Sequence, residues 1–159
     1  MRVRPVVVAL VLGAVLVAGA AAAFRDAPSQ APGPPRGTVV IDTGDAEVIV
    51  RVEIASTGPQ RERGLMHRTS LPPESGMVFR FPGPTSGGFW MKSTLIPLDI
   101  AFYNGRGTIL RIMQMKPCQT DPCTIYTPGV TYRGALEVNA GAFRRWGVSA
   151  GDRIVVRRS

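Results

Sequence analysis

FWMKSTLIPLDIAFYNGRGTILRIMQM, residues 89–115, holds the signal from which the fold is read. Leu98, Ile100 and Phe102 recur at every second position, the period of a strand, and Thr108 to Met115 is a second apolar run. Between them Asn104-Gly105 supplies residues that tolerate positive φ, so the stretch predicts an antiparallel hairpin. Just upstream, Phe89 to Lys92 predicts a short strand. Phe89 and Met91 then share one face, and Trp90 and Lys92 share the other.

Moving toward the amino end, Met77 to Phe81 predicts another strand, separated from Phe89 by the loose, Pro- and Gly-rich 82–88. Thr57-Gly58-Pro59-Gln60 has the form of a capping box, with Pro tolerated in the first turn. It predicts a helix through Arg68, anchored by Leu65 and Met66 and stopped at Leu71-Pro72-Pro73. Glu47 to Ile54 alternates cleanly and pairs with a shorter strand, Thr38 to Ile41, across a turn at Thr43-Gly44-Asp45. Toward the carboxyl end, Tyr132 to Val138 predicts a strand. Asn139 then caps a helix Ala140 to Trp146, with Gly147 as its left-handed stop. Gly151-Asp152 turns into a last strand, Arg153 to Val156. Many short strands, two short helices and Gly/Pro turns place the chain in the all-β class, as a mainly antiparallel β-sandwich or barrel. No Gly-rich loop joins a strand to a long helix, so a nucleotide-binding fold is unsupported.

The 159 residues suffice for one domain and an appendage, and exclude a multidomain enzyme or a polytopic transporter. The appendage is at the amino end. A basic start, Met1 to Pro5, precedes an uncharged run from Val6 to Ala23 that closes on Ala21-Ala22-Ala23. This is the pattern of a secretory signal, and the run is also about the minimum for a membrane anchor. Both readings of residues 1–23 stand, the weak hydrophobicity of 18–23 favouring cleavage; if it is uncleaved, residues 6–23 make the membrane contact. Residues 24–37 read as a Pro/Gly-rich linker, and 38–159 as the single β domain. Both forms predict an exported protein, periplasmic or extracellular. The net charge of +8 comes from scattered Arg, with neither aromatic-basic interleaving nor a recognition-helix pattern, which argues against nucleic acid. Cell-wall polymer, anionic lipid or an envelope protein are the partners expected of a basic exported chain.

Taken in order, GLMHR (64–68), GMVF (76–79), FWMKSTLIPLDIAF (89–102), CQTDPC (118–123), LEVNAG (136–141) and GVSAGD (147–152) resemble the domain-of-unknown-function 192 (DUF192) family. The resemblance runs from about Glu47 to Val156. It implies a jelly-roll-like β fold, commonly exported in bacteria, and no established activity. Ser93 stands where the family usually has Asn, and Gln60 where Glu is common. If that Asn contacts a ligand, Ser93 contacts it less fully.

Several residues are candidates for chemistry. Trp90 and Lys92 on one strand face would make a platform for a sugar ring and an anionic group; otherwise Trp90 closes the core and Lys92 pairs with Asp99 or Glu137. Glu137, inside apolar Leu136-Glu137-Val138, either faces solvent or lines a cleft where desolvation suits it to acid/base work. Asp99 and Glu137 would form a glycosidase-like pair only at a separation of roughly 5–9.5 Å. Arg68 is a candidate anion-binding group beside Arg61 and Arg63, and Asn139 is a helix cap or a ligand group. Cys118 and Cys123 are expected to form a disulfide stapling their loop, stabilising by about 2–3 kcal/mol; their spacing is not that of a redox C-x-x-C. His67 has no partners for a triad, and with two oxidised Cys it makes no metal site. Neither metal nor cofactor is expected. Met77, Met91, Met113 and Met115 read as core.

The leading expectation is a non-enzymatic module binding an envelope ligand or partner through the Trp90/Lys92 face. One alternative is a small hydrolase or lyase acting on envelope polymers, with Glu137 as acid/base and Lys92 stabilising charge. The other is a purely structural or accessory domain.

Overall fold

Alternating apolar residues on both faces of three strands determine the architecture, because such strands need cover on both sides. In a computed structural model describing residues 33–158, the elements are β1 (Arg36–Asp42), β2 (Glu47–Ala55), α1 (Gly58–Arg63), β3 (Ser75–Thr85), β4 (Phe89–Trp90) and β5 (Leu98–Tyr103). They continue with β6 (Ile109–Met115), β7 (Ile125–Tyr126), β8 (Tyr132–Asn139), α2 (Ala142–Arg145) and β9 (Arg153–Arg158). The expected signal or anchor, residues 1–23, lies outside the described residues, as does the linker up to residue 32.

The main sheet has the order β6-β5-β8-β3-β2-β1-β9, and β4 pairs with β7 in a separate ribbon. Only β2 and β3 pair in parallel among the described strands, with α1 in their connection. The sheet curls until its two edges meet. Thr108 bridges Arg153, the Ile109 amide donates to Asp152 O, and the Ile154 amide donates to Gly107 O. The all-β expectation holds, with the layers made by one curled half-barrel.

Strands β5, β8 and β3 are buried on both faces. On one face Ala101, Tyr103, Leu136, Val138 and Val78 join Val39, Ile41, Val50, Val52 and Ile154 inside the curl, with Phe143 of α2. On the other, Leu98, Ile100, Phe102, Ala135, Met77 and Phe79 pack with Met91, Met115 and Leu65. Leu98, Ile100 and Phe102 therefore share a face as their spacing predicts.

Local details depart from expectation in instructive ways. The capping box forms, with Thr57 Oγ1 accepting from the Gln60 amide and Gln60 Oε1 accepting from the Thr57 amide. The helix stops at Arg63 because Gly64 turns the chain at φ 45°. In the β5–β6 turn the positive φ falls on Gly107, at 86°, not on Asn104-Gly105. Asn104 Oδ1 instead accepts from the Arg106 and Thr108 amides, and a Cβ at 107 would run into Ile154 O. Strand β3 continues through Pro82 and Pro84 with a register break between Arg80 and Thr85. Asn139 does not cap a helix. It ends β8, its side-chain amide donates to Leu71 O and Pro72 O, and α2 starts after left-handed Gly141.

Candidate functional site

Cross-strand register decides which polar groups meet. Ile100 pairs with Glu137 and Asp99 with Val138, and directly opposed residues project to the same face. Asp99 and Glu137 thus leave the sheet on opposite faces, and the glycosidase-like pair does not form.

Glu137 enters the face made by Met77, Phe79 and Ile100, flanked by Met77 on β3 and Ile100 on β5. It is 4% exposed and lies in the wall of a cleft of about 240 Å³. Phe79, Phe81, Phe89 and Tyr132 make the aromatic walls, α1 and the turn after it supply Arg61 and Leu65, and Trp90 and Thr94 complete the opposite side. The aromatic rings meet edge to face, Phe79 and Phe89 at 5.0 Å and Phe81 and Tyr132 at 5.5 Å, so the walls are held by one another. The Tyr132 hydroxyl donates to Gly87 O at 2.7 Å. Arg61 lies 5.1 Å over the Phe81 ring, and its Nη1 donates to Ser56 O and Arg80 O. No described group hydrogen-bonds or pairs with the Glu137 carboxyl, and burial pushes its pKa up to about 8.

Next to the cleft is a shallower groove lined by Pro59, Glu62, Arg63, Met66, His67, Trp90, Lys92 and Ser93. Trp90 borders both depressions, is 45% exposed, and pairs across the ribbon with Ile125, which is 56% exposed. Lys92 is exposed, in a turn beyond the end of β4, and does not line the cleft. It is not paired to Asp99 or Glu137, since the only ion pair among the described residues joins Arg68 to Glu53. His67 and Ser93 both hold positive φ, 62° and 54°, and the His67 amide donates to Ser93 O. Asn enters that left-handed region more readily than Ser, so the Asn usual at this position has a backbone reason independent of any ligand.

The remaining candidates make contacts within the fold. Asp99 accepts from the Gly141 amide at 2.8 Å and from Gln114 Nε2 at 3.4 Å, anchoring the start of α2; burial raises its pKa and these bonds oppose the rise. Arg68 Nη2 donates to both oxygens of Glu53, at 2.6 and 2.8 Å, so its charge is already paired within the fold. Asn139 braces the Leu71-Pro72 segment. Cys118 and Cys123 form the expected disulfide, which fits a non-cytoplasmic environment. Among the described residues no group of His, Cys, Asp and Glu is placed to hold a metal, and no helix is long and apolar enough to cross a membrane.

A family model described as uncharacterized ACR, DUF192, matches residues 39–156. The chain belongs to the DUF192 family. Two solved structures are similar to it. One, from Sinorhizobium meliloti 1021, is provisionally named a transcription regulator; it has 33% identity and a TM-score of 0.75, over 80% of this chain and 98% of that one. The other, a protein of unknown function from Novosphingobium aromaticivorans DSM 12444, has 29% identity and a TM-score of 0.71, over 80% of this chain and 94% of that one. No curated protein matches.

Within this DUF192 fold, sequence reasoning found Trp90 and Glu137 but missed the walls between them. Met77, Phe79 and Phe81 form a stripe at period two, a legible signal. Tyr132 gave none: by parity it belongs with Leu136 and Val138, yet it packs on the Glu137 face, because pairing breaks register between Arg80 and Thr85.

Proposed function

We propose that this DUF192 domain is an exported, non-enzymatic binding module whose ligand occupies the aromatic cleft, with Trp90 at its rim and Lys92 in the adjoining groove. The observation that carries this reading is a carboxyl, Glu137, that is 4% exposed and has no partner among the described residues, in a cleft walled by Phe79, Phe81, Phe89 and Tyr132. Concave, mostly apolar sites with a few placed polar groups are the usual form of small-molecule sites. Export is supported by the basic start and apolar run of residues 1–23 and by the Cys118–Cys123 disulfide. Fragments of cell-wall polymer, anionic lipid and envelope proteins are the partners such a location offers.

The hydrolase alternative loses its charge stabiliser, because Lys92 lines the groove and Glu137 the cleft. The regulator name of the Sinorhizobium relative is not carried over. Described helices of six and four residues do not supply a helix that reads a DNA groove.

Thermal melting of the protein with peptidoglycan fragments, teichoic-acid-like polymers and anionic lipid tests the proposal. A saturable rise in melting temperature that Trp90→Phe and Lys92→Ala diminish is expected. No response to any of these ligands would favour a purely structural domain.

A further inference from the structure

The Glu137 carboxyl, between Met77 and Ile100, has no partner among the described residues and meets water only through the cleft, and drawing an acid so far out of water without a partner does not favour the fold. Its partner is expected to come from outside. Four other polar side chains of the cleft, Tyr132, Arg61, Thr94 and Thr85, are already engaged. The Tyr132 hydroxyl donates to Gly87 O, Arg61 Nη1 to Ser56 O and Arg80 O, and the Thr94 hydroxyl to Lys92 O. Glu62 and Arg63 of α1 stand exposed at the mouth of the cleft, and what the interior offers a ligand is aromatic surface and one acid. Aromatic faces attract cations, as Arg61 over Phe81 demonstrates at the cleft wall. A volume of about 240 Å³ exceeds the ~150 Å³ in which an apolar cavity takes up benzene, which leaves room for a ring and a short polar arm.

Resting on the binding reading above, we infer that the ligand of this cleft is a small organic amine, its apolar body against Phe79, Phe89 and Tyr132 and its ammonium paired with the Glu137 carboxylate. The charged groups of the surrounding elements are Arg61, Glu62 and Arg63 on α1; Lys92 lies in the adjoining groove, β3 and β4 contribute none to the lining, and Asp99 of β5 faces the other side of the sheet. Because the free carboxyl is protonated below about pH 8, pairing with an ammonium releases a proton there. Affinity for an amine then rises with pH toward 8, by roughly tenfold per unit while the bound form stays ionised.

Titration calorimetry of the protein with benzylamine, benzyl alcohol and benzoate tests this. Expected results are benzylamine binding at least tenfold tighter than either analogue at pH 8, a rise in its affinity from pH 6 to 8, and a binding heat that depends on the buffer's ionisation heat below pH 8. Glu137→Gln should lose at least tenfold for benzylamine and nothing for benzyl alcohol. Should that variant fail to fold, the three wild-type titrations and the proton release decide alone. Benzyl alcohol or benzoate binding as tightly as benzylamine, or benzylamine binding without proton release, overturns the amine and leaves the binding module standing. If none of the three probes binds and no envelope ligand shifts the melt, both readings fall.

Discussion

The two faces of the central strands each bury one acid, and they treat it differently. Asp99, on the face inside the curl, accepts from the Gly141 amide and from Gln114 and ties the start of α2 to the sheet. Glu137, one register step away on the next strand, enters a cleft lined by rings and has no partner among the described residues. Both carboxyls are pushed toward the neutral form by burial, but only Asp99 has bonds that oppose the push. Buried polar groups with satisfied bonds contribute to a fold, and those without are held against their own solvation. On the proposed reading, the difference separates an acid used for architecture from one open to a ligand.

The largest test of that difference is the pH dependence of stability. Glu137 has an unfolded pKa near 4.5 and a folded value of about 8. Between those values the native state holds a proton that the unfolded state has released. Stability therefore falls as pH rises from 4.5 to 8 and levels off above 8, by an amount on the order of a few kcal/mol. Glu137→Gln keeps the shape, removes the ionisation and should flatten that limb, leaving the variant the more stable form at pH 8. Denaturant melts of both proteins at pH 5, 6.5 and 8 measure it. Parallel curves for the two would mean that Glu137 is answered by a group in the folded protein, and the contrast with Asp99 would collapse.

The converse substitution should act in the opposite direction. Asp99→Ala strips the Gly141 amide of its acceptor inside the protein, a loss of about 1–3 kcal/mol that the relieved desolvation of the carboxylate offsets only in part. The effect should concentrate at α2, visible as faster amide exchange over residues 141–146 while β8 stays protected. A variant as stable as the parent would place Asp99 with Glu137 as an acid the fold does not use.

Much of this was open to reading in the residues. Period-two alternation located β2 and β5, and the Thr57–Gln60 box formed as its local chemistry requires, because such signals depend on neighbours within four positions. What was not legible depends on pairing across the sheet. Whether Asp99 and Glu137 share a face is set by the Ile100–Glu137 register, thirty-seven positions apart in the chain, and no local pattern carries it. Asn139 shows the same limit. Its position before Ala140 has the form of a cap, and only the tertiary approach of Leu71-Pro72 redirects its amide. The ribbon β4–β7 has two residues per strand, too few for any periodicity to register.

The smallest expected effects lie at the rim, and they separate a site from a wall. Trp90 is nearly half exposed and Lys92 stands in a turn without an ion-pair partner, so Trp90→Phe and Lys92→Ala should each change stability by no more than about 0.5 kcal/mol. Trp146, the other tryptophan, packs against the inner core and Phe143. Trp90→Phe should therefore remove the fluorescence response to a cleft ligand while Trp146 emission stays constant. That combination, intact folding with lost response, is what a binding surface requires and a packing residue does not deliver. A drop above about 1 kcal/mol in either variant would mean the rim holds the β4–β7 ribbon in place, and the case for a ligand would rest on Glu137 and the rings behind it.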